Sequence, residues 1–111
     1  MPAFIYVTTQ FVAFHRWTEA PDEVSFLRQF HRHVFHVKVV LHVSHNDRDL
    51  EFFIIKARLE NYIQSKLAGR FVDWSCETIA TMILDHFQAA QVDVSEDGEN
   101  GAVVTANPPS Q

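Results

Sequence analysis

The sequence predicts an α+β domain: an antiparallel sheet with two helices on one face, in the order strand–strand–helix–helix–strand–strand. Three observations predict it. Two long stretches in the first half are rich in β-branched and aromatic residues. Two apolar stripes at spacings of three and four follow them. A pair of short β-type runs then closes around the turn Asp97-Gly98-Glu99-Asn100-Gly101.

Taken in order, residues 3–16 hold Phe, Ile, Val, Tyr and Thr and suit a strand. Residues 17–30, with Pro21, Asp22 and Glu23, read as a connection with room for a helical turn. A second long strand spans 31–44, and His45-Asn46-Asp47-Arg48-Asp49 signals a turn into a short return strand at Leu50-Glu51-Phe52. A helix is expected at 53–67, with Ile55, Leu59, Tyr62, Ile63 and Lys66 on one stripe and Gly69 as its stop. Ser75 is a good N-cap for a second helix, and Glu77 in its first turn complements the macrodipole. Ile79, Met82, Ile83, Phe87 and Ala90 form that helix's apolar stripe. Third and fourth strands are expected at Gln91–Glu96 and Ala102–Ala106, so residues 1–106 form one domain and 107–111 a frayed tail.

The chain has 111 residues, 47% hydrophobic and 21% charged, an ordinary globular composition. A formal net charge of −5 argues against a nucleic-acid partner. No apolar run approaches the roughly 18 residues that span a membrane, and the opening segment lacks the basic region of a signal peptide. Cys76 is the single cysteine, which excludes an internal disulfide and makes a cytoplasmic location the expectation.

Histidine is the compositional outlier: there are seven, five of them between 31 and 45. His31 and His33 are two apart on a predicted strand and therefore share a face. His15 ends the preceding strand. If the two strands pair antiparallel, its imidazole meets theirs. Three neutral nitrogens suit zinc and leave one coordination position open. The alternative is three partly exposed histidines without a metal. His36 and His42 fall on the opposite face and read as surface residues.

These residues resemble a known pattern. Phe11-Val12-Ala13-Phe14-His15-Arg16-Trp17 is similar to the Phe-x-x-x-His-Arg-Leu segment of the 6-pyruvoyl-tetrahydropterin and 6-carboxy-tetrahydropterin synthase family, and His31-Arg32-His33-Val34-Phe35 resembles its His-Gly-His-x-Tyr, with Arg32 for glycine. Glu51-Phe52-Phe53-Ile54-Ile55-Lys56 resembles the family's Asp-Phe-x-x-Leu-Lys, Ser75-Cys76-Glu77-Thr78-Ile79-Ala80 its Pro-Thr-x-Glu-x-x-Ala, and Val94-Ser95-Glu96-Asp97 its late strand with Glu-Thr. The similarity spans roughly residues 4–104, and the element order matches the family's tunnelling fold, with a four-stranded antiparallel sheet.

The resemblance implies a zinc-dependent lyase acting on a dihydropterin triphosphate in pterin or queuosine (7-deazaguanine) biosynthesis. It assigns the zinc to His15, His31 and His33, and makes Glu96 the carboxylate that grips the N–H edge of a pterin or purine. Cys76 and Glu77 would line the same pocket. Read on their own residues, Glu96 is a solvated hairpin residue and Cys76 and Glu77 are helix-start chemistry. The resemblance also implies a homo-oligomer, which would cover the open edges of the sheet.

The chain departs from the family in its proton-transfer residues. No cysteine precedes the His-x-His pair, where Phe26-Leu27-Arg28-Gln29-Phe30 stands instead. The Asp-His loop between the helices is missing, and Leu84-Asp85-His86 falls inside the second helix. Substitute acid–base candidates are Cys76 and Asp73, with His45 and Glu51 behind them. The competing reading is a non-catalytic zinc protein that binds a pterin or purine.

Overall fold

Alternation along the first two strands decides which side of the sheet becomes interior. In the computed structural model, which describes residues 3–107, β1 (Ala3–His15) and β2 (His31–Val43) pair antiparallel over their whole length, from Ala3 opposite Val43 to His15 opposite His31. Residues 108–111 of the expected tail lie outside the described residues. Every second side chain points to one face. On that face Val7, Phe11 and Ala13 of β1 and Phe35, Val37, Val39 and Leu41 of β2 are buried. On the other face Phe4 and Tyr6 stay exposed, and the Lys38 ammonium lies 4.7 Å from the Tyr6 ring centre.

Both helices cover the interior face. Helix α1 (Phe52–Lys66) packs on β1 through Ile55, Leu59 and Ile63. Helix α2 (Cys76–Phe87) packs on the C-terminal hairpin through Ile79, Ala80 and Ile83. The expected N-cap forms: Ser75 Oγ accepts from the Thr78 N–H at 3.1 Å, a contact typically worth about 1 kcal/mol. Strands β4 (Gln91–Glu96) and β5 (Asn100–Thr105) follow, with Val92 and Val94 fully buried opposite Val39 and Val37.

Three expectations need correction. Among the described residues the sheet has five strands in the order β3–β1–β2–β4–β5 and is mixed, because β3 (Phe71–Val72) runs parallel to the end of β1. A two-residue strand has no alternation to read. Its partner makes it: the Phe14 and Arg16 N–H groups donate to the Arg70 and Val72 carbonyls at 2.9 and 3.3 Å. Second, Leu50-Glu51-Phe52 is not a return strand. The Glu51 carboxylate accepts from the N–H groups of Phe53 and Ile54 and caps α1, so local capping overrides the β-prone residues. Third, β5 begins at Asn100 rather than Ala102. Gly101 allows this early start, since a Cβ there would lie 2.2 Å from the Val94 carbonyl oxygen.

The long connection between β1 and β2 is tied down by a 3-10 segment at Asp22–Arg28. Trp17 N–H donates to Leu27 O at 2.7 Å and Arg28 Nε to Ala20 O at 2.8 Å. The connection thereby folds back over the end of the sheet where β1 stops, β2 starts and α2 begins.

Candidate metal centre

The antiparallel register places His15 directly opposite His31 and Ala13 opposite His33. All three histidines lie on the helix-covered face, at its open end. Their rings form an edge-on triangle, with centroids 4.5 Å (His15–His31), 5.0 Å (His15–His33) and 4.8 Å (His31–His33) apart. Each offers one nitrogen, and the three nitrogens lie within 4.8 Å of one another. The structure therefore brings together the trio read from the sequence. His36 and His42 are exposed on β2, on the other face.

The second nitrogen of each ring explains the aim. His15 Nδ1 is 3.3 Å from the Trp74 carbonyl, His31 Nδ1 is 2.8 Å from the Gln29 carbonyl, and His33 Nδ1 is 2.6 Å from Asp97 Oδ2. A carbonyl or carboxylate oxygen only accepts, so each Nδ1 carries the hydrogen. In the neutral ring each Nε2 is then a bare lone pair, and the three turn toward a common point. His15 Nε2 and His31 Nε2 are buried without a hydrogen-bond partner. An orphaned buried polar group costs about 1–3 kcal/mol, and a cation shared between the rings removes that cost. The donor set fits zinc: three imidazoles, each oriented from behind by an acceptor. Burial lowers the pKa of His15, against the opposing pull of Trp74 and Glu96, which favours the neutral, ligating form.

Sequence reasoning missed those orienting groups. Trp74 sits just past β3, and Gln29 ends the 3-10 connection, so neither carbonyl carries a sequence signal. Asp97 had one, its place in an Asp-Gly turn, but the turn reading exhausted it. It adopts a left-handed backbone (φ 56°), from which Oδ1 accepts the Val34 N–H at 2.9 Å while Oδ2 holds His33. These two bonds, the first the stronger, keep its carboxyl below the usual carboxylate range. Asp97→Asn is expected to weaken zinc binding by about 10–100-fold, the usual cost of losing such an orienting carboxylate. Chelator competition measures it, and an unchanged affinity would remove Asp97 from the site.

A cavity of about 390 Å³ adjoins the triad between the sheet end, the connection and the N-terminus of α2. His15 and His31 face it, as do Cys76, Glu77, Glu96 and Asp73. The acid–base candidates fare unequally. Burial, reinforced by the charges of Glu96 and Glu77, pushes the Cys76 thiol up to about 12, so at neutral pH it is no thiolate base. Leu27 lines the cavity wall and has no proton to exchange. Asp73 holds Arg16 Nε at 2.8 Å. His45 and Glu51 are excluded by distance: they follow the far end of β2, twelve residues beyond His31, roughly 40 Å along an extended strand. There His45 faces Asp49 at 3.5 Å. Asp85 and His86 are exposed on α2, with His86 against the Tyr62 ring at 4.4 Å.

Among the described residues no helix is long and apolar enough to cross a membrane. No protein-family model matches the chain, and no curated protein matches its sequence. Solved structures do match. An uncharacterized protein from Wolinella succinogenes superimposes with a TM-score of 0.83 at 14% identity, over 96% of this chain and 99% of that one. The 6-pyruvoyl tetrahydropterin synthase of Caenorhabditis elegans superimposes with a TM-score of 0.72 at 13% identity, over 96% and 97%. Across nearly its whole length, the chain shares the fold of 6-pyruvoyl tetrahydropterin synthase.

Proposed function

We propose that the protein is a zinc protein that binds a pterin- or purine-like ligand in the cavity beside His15, His31 and His33. The observation that carries this reading is the convergence of three lone pairs, two of them buried and unpartnered, at the edge of that cavity. Zinc held there supplies Lewis acidity toward a ligand oxygen. Glu96 and Glu77 supply carboxylate acceptors for the N–H edge of an aminopyrimidinone ring. A shared fold does not carry a shared reaction, and the protonated Cys76 thiol and the Leu27 wall favour binding over the proton shuttling of a synthase.

The second reading is a pterin-synthase-type lyase. Asp73, the exposed carboxylate at the cavity, favours it. One experiment addresses both. Zinc-loaded protein is titrated with 7,8-dihydroneopterin triphosphate and with GTP by calorimetry, and the first mixture is then analysed for products. Saturable binding without turnover is the expected result. Turnover abolished by Asp73→Ala would establish the lyase reading instead, and failure to bind either compound would overturn the ligand class.

A further inference from the structure

The carboxylate nearest the histidine triad does something a solvated hairpin residue would not. Glu96 ends β4 directly opposite Phe35 of β2, two residues along the same face from His33. Its Oε2 is 2.7 Å from His15 Nε2 and 3.7 Å from His33 Nε2. The shorter contact is not a hydrogen bond, since His15 Nε2 has no partner in the required geometry. The ring hydrogen sits on Nδ1, facing the Trp74 carbonyl. The Glu96 oxygen thus lies 2.7 Å from a bare nitrogen but off the axis of its lone pair, and two electron-rich atoms at that distance repel unless a positive charge lies close to both.

That charge is either a proton on His15 or a metal ion. A proton satisfies His15 and Glu96 alone and leaves the buried His31 Nε2 orphaned. A single ion satisfies all the groups. The spacings agree: zinc–nitrogen and zinc–oxygen bonds of about 2.0–2.2 Å put neighbouring ligand atoms of a tetrahedron roughly 3.4 Å apart, between the two observed distances. The carboxylate enters from the His15–His33 side, for only the three imidazole nitrogens all lie within 4.8 Å of one another.

We propose that Glu96 is the fourth ligand of the metal, so that the site at rest is a closed three-histidine, one-carboxylate centre. The inference rests on the metal reading of the histidines and is independent of which ligand fills the cavity. It has a consequence for that ligand, because Glu96 also faces the cavity. An incoming oxygen that takes the fourth position displaces the carboxylate, which is then free to accept N–H donors from the same molecule.

Cobalt(II) provides the test, since its visible absorption reports coordination number and donor set without any need for activity. Full-length wild type, Glu96→Gln, Glu96→Ala and His31→Ala are loaded with cobalt, and affinity is read by chelator competition. Wild type is expected to bind one cobalt with intense four-coordinate bands. Both Glu96 variants are expected to lose affinity by about tenfold or more and to change spectrum, with acetate restoring the bands of Glu96→Ala. Unchanged spectra and affinity in both variants, beside a cobalt-binding wild type and a deficient His31→Ala, would overturn the fourth ligand and leave the triad standing. A wild type that binds no cobalt would overturn the triad itself, and this inference with it.

Discussion

His31→Ala is expected to abolish stoichiometric zinc binding. Purified wild type should carry one zinc per chain by elemental analysis, and the variant none. The reason is geometric: His31 contributes one of two buried, unpartnered nitrogens, and its removal breaks the three-imidazole cluster, leaving His15 and His33 with only the Glu96 carboxylate beside them. Zinc binds the folded state alone in this scheme, so it also stabilises. At a free concentration a hundred times the dissociation constant, the gain is about 2.7 kcal/mol, which for a domain of this size raises the melting midpoint by roughly 10 °C. Thermal unfolding with and without a chelator should therefore separate by that much in wild type and coincide in the variant. Equal zinc content in both proteins, or none in wild type, would refute the metal centre.

Phe35→Ala should produce the largest loss of stability in the chain and damage the metal site as well. Phe35 is fully buried. It stacks on Phe11 at 5.2 Å and meets His15 and His33 edge-on at 5.3 and 5.9 Å. It joins the apolar core to the floor of the triad. Truncating a buried phenylalanine costs about 3–5 kcal/mol, a large share of the roughly 5–15 kcal/mol that holds a domain together. Urea titration in excess chelator isolates that cost from metal binding. Phe35→Leu, which keeps most of the volume, is expected to cost about half as much or less. A loss below about 1 kcal/mol for Phe35→Ala would mean that the core collapses around the gap. In the protein that remains folded, zinc affinity should also fall, because the rings of His15 and His33 lose the surface that holds them upright.

Much of the fold was legible because its periodicities are local. The apolar stripe of α1, the Ser75 cap and the strand alternation of β2 each follow from residues within a few positions of one another. What was illegible depends on partners distant in sequence. Strand β3 exists only because Phe14 and Arg16 supply donors to it. Glu51 had two local readings, and capping prevailed because its carboxylate meets the free N–H groups of Phe53 and Ile54. In the site, the histidine trio was legible since strand alternation and antiparallel pairing together fix where His15 meets His31 and His33. Asp73 does line the cavity, but the placement of Cys76, His45 and Glu51 was not legible, because residue type alone says nothing of burial or reach. Cys76 is the clear case: a thiol is a base only where its anion is solvated or paired with a cation, and here it is buried beside two carboxylates.

The sequence by itself determined an α+β chain, its two helices, its two long strands and the face on which three histidines gather. These follow from backbone periodicity, which the order of apolar and polar residues records directly. Tertiary structure alone decided how those histidines are aimed and what stands beside them. The Trp74, Gln29 and Asp97 acceptors arrive from three different connections to fix the ring hydrogens on Nδ1. Glu96, the residue before Asp97, is brought within 2.7 Å of His15 Nε2 by the pairing of β4 with β2. The three histidines therefore mark a group that could hold a metal ion, while the acceptors behind the rings and the carboxylate beside them come from long-range packing that no local pattern records.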